Sequence, residues 1–281
     1  MNRLATFTFK GRRHRAPAPL AMLGLVITVF WLLMTLVGPW LAPHDAAALV
    51  DSDVFGPISR RFPLGTDYLG RDMLSRILFG ARFTVALALS AAVLASTGGT
   101  LLGLVAATAG GWIDNVLSRV LDTLISIPGK MFALMMVASF GSSAPVLIAT
   151  AAIGYLPGAY RIARALAVNV QAMDFVQAAR ARGEGMAYIT CVEILPNMIR
   201  PVLADFGLRF VFIVLLLAGL SFLSLGVQPP DADWGSLVRE NIAGLSEGAP
   251  AVLMPALAIA TLTIGVNLWI DNLRGGAAKD A

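Results

Sequence analysis

The chain has 281 residues, of which 57% are hydrophobic and 14% charged, and its mean hydropathy of +0.77 excludes an ordinary water-soluble domain. The formal net charge of +4 indicates basic loops beside a membrane rather than nucleic-acid binding, because no basic patch is interleaved with aromatic residues. A single cysteine, Cys191, excludes an intrachain disulfide and a cysteine metal cluster. We expect Cys191 to be a small buried residue.

Residues 1–19 form a basic tail without any acidic residue, and an apolar run follows over residues 20–41. The run is longer than the ~7 to 15 residues of a signal-peptide core, and it has the ~20 residues that cross a ~30 Å bilayer core. The sequence therefore predicts a first transmembrane helix that enters from the cytoplasm.

Residues 42–82 are rich in proline and acidic residues and cannot span a membrane. Within them, apolar residues recur at helical spacing with polar residues on the other side, namely Leu69, Met73, Leu74, Ile77 and Leu78. This pattern predicts an amphipathic helix at the membrane interface, inside a segment exposed on the outer face.

Five further apolar runs predict spans at about 83–109, 115–140, 143–165, 203–226 and 250–271, which gives an all-α polytopic fold with six transmembrane helices. GxxxG pairs at Gly99 and Gly103 and at Gly154 and Gly158 predict close helix packing. The lysine and arginine bias predicts that both termini, including the tail 273–281, and residues 166–202 are cytoplasmic. It places residues 43–82 and 227–249 outside.

The most polar long run of the second half extends from Asp174 to Asn197. Asp174 can cap a helix whose third position is Gln177, and Gly183 supplies a left-handed C-terminal stop. Ala178, Ala179 and Ala181 predict a thin surface that another protein can approach closely. A second helical run, Met186 to Leu195, is predicted to end in a bend, because Pro196 excludes the helical conformation at the residue before it.

The order of small residues, glycine and Ile-Leu-Pro in this run resembles the EAA loop of permeases of binding-protein-dependent ABC importers. In that family the loop is a coupling helix that docks into a groove on a cytoplasmic ATPase. The resemblance implies an ATPase-coupling set made of Asp174, Phe175, Gln177, Ala178, Ala179, Arg182, Gly183, Leu195 and Pro196. An ordinary cytoplasmic helix-turn-helix between two spans is the alternative.

Two other runs, FPLGTDYLGRDMLSRILFGAR (62–82) and GLSFLSLGVQPPDADWGSL (219–237), resemble the dipeptide, oligopeptide and nickel branch of these importers, so the chain is identified as a member of the OppC/DppC-like permease family. The resemblance covers roughly residues 62–272. It implies a type I (MetI-like) permease core over residues 83–272, a cytoplasmic coupling loop over 170–197 and import of peptides or peptide-like solutes.

The resemblance also implies the partners and the location. The partners are a second homologous permease subunit, two cytoplasmic ABC ATPase subunits, an extracytoplasmic solute-binding protein and the lipid of the inner membrane, with no nucleic acid. ATP and magnesium belong to the ATPase subunits, and no cofactor or metal is expected in this chain. A stand-alone secondary transporter or channel is the alternative function, although no internal repeat of the kind common in such proteins is visible.

The sequence predicts no catalytic residues. Gly129 and Lys130 are followed by Met131 rather than the serine or threonine of a phosphate-binding loop. His14 and His44 both lie outside the predicted spans, so no nucleophile and base are paired.

Two basic residues in the predicted spans depart from the family pattern. Lys130 falls near the middle of the third span, where a lysine costs about 2.5 to 3.5 kcal/mol unless water or a partner reaches it. One hypothesis is that Lys130 faces the translocation path and helps an anionic group to pass. The alternative is that it snorkels or pairs with an acid of the second permease subunit. Arg209 follows Asp205 by four residues, which allows either a self-satisfied pair or a functional role.

Overall fold

The computed structural model describes residues 19–277, which are mostly helical, with the longest irregular segments at 42–72 and 223–233. A π-helical turn (Ile189–Ile194) precedes α8, and a 3₁₀ turn (Ile242–Leu245) follows α9. The α-helices are α1 (Pro19–Leu41), α2 (Met73–Ala109), α3 (Gly111–Ser126), α4 (Gly129–Phe140), α5 (Ala144–Gln171), α6 (Asp174–Ala181), α7 (Met186–Tyr188), α8 (Leu195–Phe222), α9 (Trp234–Glu240) and α10 (Pro250–Ala277).

Five helical stretches are long and apolar enough to cross a membrane: α1, α2, α5, the stretch Met186–Phe222 that contains α8, and α10. Helices α3 and α4 pass the same test together, although they are bent by 84° at the break between them. The predicted all-α, six-span architecture is confirmed with this pair as one span, but the expectation of a continuous third helix is wrong. Pro128 is responsible, because it drives Ile127 into an extended conformation (φ −83°, ψ 124°).

The packing of the helices fixes their directions. Helices α2 and α5 run parallel in close contact, since a Cβ added at Gly99 would lie 2.8 Å from the Tyr160 nitrogen and one at Gly103 2.8 Å from the Arg164 nitrogen. The packing role predicted for Gly99 and Gly103 is therefore confirmed. Helix α1 runs antiparallel to α10, with Trp31 Nε1 donating to Thr261 Oγ1 at 3.0 Å.

These directions divide the molecule into two ends. Residues 42–72 and 223–249 pack together at one end, called here the 42–72 end. The start of α1, the α2–α3 junction, residues 172–194 and the end of α10 lie at the other, called the 172–194 end. Of the predicted tails, 1–19 and 273–281, residues 1–18 and 278–281 lie outside the described residues, while Pro19 begins α1 and residues 273–277 continue α10.

The predicted interfacial helix is not a separate element. Helix α2 begins at Met73 and continues without interruption through the second span to Ala109. Both sides of its first turns are buried, with Met73 and Ile77 in the core and Arg76 only 3% exposed. The prediction failed because the polar side meets charged partners within the protein instead of water.

Several predicted boundaries also shift. Helix α5 extends to Gln171 rather than 165, α8 begins at Leu195 rather than 203 and ends at Phe222, and α10 continues through Ala277, beyond the predicted boundary at 272. Helices of this length project past the ~30 Å apolar layer.

Trp234 anchors the loop after α8 to the membrane helices. Its side chain is fully buried, its Nε1 donates to the Ile77 carbonyl at 3.0 Å, and its ring meets Trp31 edge to face with centroids 4.6 Å apart. The next residue must be small, because a Cβ at Gly235 would lie 2.7 Å from the Ala218 Cα. This packing explains why tryptophan and glycine are adjacent here.

Candidate functional site

Helix α6 is held against the bases of the membrane helices by one side. Val176 and Ala179 are fully buried in a cluster with residues of α2, α5, the π-helical turn and α8, namely Leu104, Ala163, Ala167, Val170, Ile189, Ile194 and Met198. Ala179 was expected on the exposed surface with Ala178 and Ala181, and that part of the prediction is wrong. The cluster ties α6 to three membrane helices.

The opposite side of α6 faces outward. Ala178 and Ala181 are exposed, Phe175 is 39% exposed, and Arg182 lies 3.8 Å from the carboxylates of Glu184 and Glu193. The small methyl groups leave the helix backbone open to close approach, and Phe175 adds an apolar contact beside them. This surface is thin and partly apolar, with Phe175 as its largest apolar side chain.

The N-terminal end of α6 differs from the predicted one. The N-cap is Met173 rather than Asp174, and Gln177 Nε2 donates to the Gln171 carbonyl at 2.9 Å, so the predicted capping box does not form. Asp174 instead occupies the first helical position, where its charge favours the positive end of the helix dipole.

The predicted left-handed stop is confirmed. Gly183 has φ +83°, and the Glu184 nitrogen donates to the Ala179 carbonyl at 3.2 Å, as in a Schellman-type end.

The segment after Gly183 returns directly into the membrane. The predicted bend at Pro196 is absent, because the π-helical turn Ile189–Ile194 precedes the proline and lets the Leu195 nitrogen donate to the Thr190 carbonyl. Leu195 is half-buried and Pro196 exposed at the start of α8. Cys191 is exposed, contrary to expectation, because the side of the turn that carries it points away from the cluster.

A cavity of about 340 Å³ lies where α3, α4, α5 and α8 meet at the broken span. Its lining includes Ile127 and Gly129 at the break, Tyr155 and Arg161 from α5, and Arg209 from α8. Irregular backbone at membrane depth is tolerated where it is buried or lines a water-filled cavity, and the break between α3 and α4 satisfies this condition.

The side chain of Arg209 is buried at this cavity, and its guanidinium is hydrogen-bonded to Asp205 and to the backbone of α5. Its Nε and Nη2 donate to the Asp205 carboxylate at 2.6 and 3.1 Å, and its Nη1 donates to the Tyr155 carbonyl at 2.9 Å. Gly158 makes room for the guanidinium, since a Cβ there would lie 2.7 Å from Nη1. Of the predicted GxxxG pair in α5, Gly158 therefore accommodates Arg209, and a Cβ at Gly154 would meet only Phe132 of α4 at 3.8 Å, so the pair does not form the close helix contact that was predicted.

Lys130 lies apart from Arg209. It is exposed in the first turn of α4, directly after the break, and is not among the residues that line the cavity. The sequence places it in the third span, directly after Pro128 and Gly129, and the interpretation of that span as continuous missed the 84° bend that Pro128 introduces.

Polar side chains connect α3 to α5 along the approach to the cavity. Asp122 accepts from Arg161 at 2.6 Å, and the hydroxyls of Ser118 and Tyr160 are 2.7 Å apart. Asp114 forms a bidentate pair with Arg164. This ladder was not predicted, although Asp114, Ser118 and Asp122 recur at four-residue spacing in the sequence.

A buried charge network closes the 42–72 end. Arg76 Nη1 donates to Asp67 at 2.7 Å and to Glu240 at 2.9 Å, and Arg71 Nε donates to Asp67 at 2.7 Å. Asp67 is fully buried. The network joins the segment after α1 to α9 and was not predicted, because its members are distant in sequence.

Asp233 lies at the opposite end of α9 from Glu240, in the loop before the helix. Its carboxylate accepts from Ser221 Oγ at 2.6 Å and from the Ser236 nitrogen at 2.8 Å, which completes a capping box for α9. Burial raises the pKa of the Asp233 carboxyl, and these hydrogen bonds offset the rise only in part. The folded state consequently binds a proton at Asp233 more tightly than the unfolded state does.

Residues 99–277 match the family model described as "Binding-protein-dependent transport system inner membrane component". The chain belongs to this family. Residues 18–56 match a second model, "N-terminal TM domain of oligopeptide transport permease C". The protein is thus a multi-pass inner membrane permease of a binding-protein-dependent ABC importer, and it is a translocation component rather than an enzyme.

Curated relatives are similar in sequence to this chain over most of their length. The chain is 33% identical to the di/tripeptide transport system permease protein DppC of Pseudomonas aeruginosa, over 90% of this chain and 86% of the relative. It is 33% identical to the glutathione transport system permease protein GsiD of Pectobacterium atrosepticum, over 94% and 86%. It is 32% identical to the probable D,D-dipeptide transport system permease protein DdpC of Escherichia coli K12, over 92% and 86%.

Among solved structures, this permease resembles a chain of the crystal structure of an amino acid ABC transporter with histidines. The TM-score is 0.50 at 18% identity, over 74% of this chain and 94% of that one. The likeness is one of fold alone.

Proposed function

We propose that this permease uses residues 172–194 to couple ATP hydrolysis on cytoplasmic ATPase subunits to the import of peptides or peptide-like solutes. The observation that carries the proposal is the two-sided setting of α6. One side, through Val176 and Ala179, is packed onto the bases of α2, α5 and α8, and the other presents Ala178, Ala181 and Phe175 outward. A partner that moves α6 would move the helices that surround the cavity.

The proposed orientation puts the 172–194 end in the cytoplasm with both termini. The lysine and arginine bias of the sequence supports it. The 42–72 end would then face outward, where residues 43–72 and 227–249 offer surface to a solute-binding protein. A second homologous permease subunit would complete the membrane pathway.

ATP and magnesium are proposed to reside on the two partner ATPase subunits. The sequence of this chain contains no phosphate-binding loop around Gly129 and Lys130, which supports this division of labour. The peptide class of substrate is inferred from the names of the relatives.

Lys130 remains a proposed element of the translocation path. Its exposure beside the break of the third span supports access by water or a partner. Replacing Lys130 with Met keeps the length and removes the charge, so slowed uptake with normal assembly supports a path role. Loss of the assembled complex would instead indicate a pair with the second permease subunit.

The test of the proposed function is reconstitution of the complex, purified through a tag on this chain, into proteoliposomes. We expect uptake of alanyl-alanine that requires both ATP and the solute-binding protein. Uptake driven by an ion gradient without the ATPase subunits would contradict the proposal and favour a stand-alone secondary transporter.

A further inference from the structure

We infer that the cavity at the broken span binds a carboxylate group of the transported solute, with Arg209 as the recognising side chain. The inference rests on the proposed function and adds a site within the membrane pathway. It concerns Arg209 because the guanidinium lies near the middle of α8, lines the cavity and is only 7% exposed.

The hydrogen bonds of Arg209 leave part of its guanidinium free for a ligand. A guanidinium carries five N–H donors, one on Nε and two on each terminal nitrogen. Among the described residues, Asp205 takes one from Nε and one from Nη2, and the Tyr155 carbonyl takes one from Nη1. One N–H therefore remains on each terminal nitrogen. Each of these two N–H groups can donate to an oxygen of a carboxylate, in a charge-assisted hydrogen bond.

The walls of the cavity favour an anion over a cation. The side chains that line it include the guanidiniums of Arg209 and Arg161 and no acidic residue of the described chain. Asp205 and Asp122 neutralise the two arginines from behind and reduce the cost of burying them, but they do not line the cavity. A solute thus meets donors, apolar side chains and the backbone of the break.

The cavity also has the size and setting of a binding site. Its volume of about 340 Å³ falls in the range of small-molecule pockets, roughly 300 to 1,000 Å³. It lies between α3, α4, α5 and α8, and two of these, α5 and α8, are tied to α6 through the cluster around Val176. A carboxylate bound there would be sensitive to movement of the coupling segment.

Charged thiol reagents test the site without any assumption about the substrate. Ile125 lines the cavity and is 39% exposed, so a cysteine can be placed there in a Cys191→Ser background, which removes the exposed native thiol. The probes are methanethiosulfonates that carry either a sulfonate or a trimethylammonium group. Each rate is normalised to the rate on a free thiol.

We expect the sulfonate reagent to be favoured by roughly fivefold in the assembled complex. Gly158→Ala should abolish the preference, because its Cβ would lie 2.7 Å from Arg209 Nη1 and displace the guanidinium. Gly154→Ala is the matched control on the same helix, since its Cβ would meet only Phe132 at 3.8 Å, and the preference should stay within about twofold of its starting value. Equal rates for the two reagents, or equal effects of the two alanines, would overturn the inference.

Uptake then tests the site in transport. Arg209→Lys keeps a positive charge beside Asp205 but loses these two N–H groups, so uptake efficiency for alanyl-alanine should fall about tenfold while that of its C-terminal amide changes less than about twofold. An equal fall for both probes would show a structural pair, which overturns the inference and leaves the proposed function standing. If the native complex took up neither probe, the proposed function and the inference would fail together.

Discussion

The left-handed turn at Gly183 gives the sharpest perturbation of the proposed coupling segment. Gly183 has φ +83°, and a Cβ added there meets no heavy atom within 4 Å, so a valine would be opposed by the backbone alone. Forcing a side chain into this conformation costs about 1 to 3 kcal/mol, with branched residues at the upper end. A cost of about 2 kcal/mol lowers the population of the native turn by a factor of roughly 30.

Gly185 provides the matched control for Gly183→Val. It lies two residues later, its Cβ would also meet open space, and its φ of −70° suits any residue. In the reconstituted complex we expect Gly183→Val to lower the solute imported per ATP hydrolysed by about fivefold or more, while Gly185→Val stays within about twofold. Equal coupling ratios in the two variants would refute the claim that the turn transmits movement.

Three further predictions concern stability, each measured as the thermal midpoint of the purified complex. Gly99→Ala should destabilise by about 1 to 3 kcal/mol, since its Cβ would meet the α5 backbone, whereas Gly98→Ala meets only the flexible end of Leu156 at 3.1 Å and should be near neutral. Arg76→Met should cost about 3 kcal/mol or more by leaving Asp67 and Glu240 short of a partner; exposed Arg82→Met should cost less than about 0.5 kcal/mol. Because burial raises the pKa of Asp233, its neutral form contributes stability at acidic pH that is lost as pH rises through the folded pKa, and Asp233→Asn should flatten that dependence. A pair of variants that behave alike, or an unchanged pH profile, would contradict the corresponding prediction.

The sequence predicted the features that depend on local chemistry. Apolar run length identified the spans, and Gly183 marked the end of α6 because few other residues adopt a positive φ. The close packing at Gly99 and Gly103 followed from residue size alone. The resemblance of short motifs to those of known permeases was enough to identify the family without any information on tertiary contacts.

The features that were predicted wrongly or missed depend on contacts between segments that are distant in sequence. The first turns of α2 have an amphipathic pattern, but Arg76 on their polar side is paired with Asp67 and Glu240. This part of the helix is therefore buried within the protein instead of lying at the membrane interface. The cavity at Arg209 of α8 depends on the break at Pro128, between α3 and α4, and on the space beside Gly158 of α5. Periodicity within one segment contains no information about such partners.

The most direct test of the coupling role is cross-linking from α6 in the assembled complex. In a Cys191→Ser background, Ala178→Cys carries a thiol on the exposed side of α6, and Val176→Cys carries one on the buried side as the control. We expect Ala178→Cys to be labelled only from the cytoplasm and to form an adduct with an ATPase subunit, whereas Val176→Cys should form none. Labelling of Ala178→Cys only from outside, with no ATPase adduct, would contradict the coupling role.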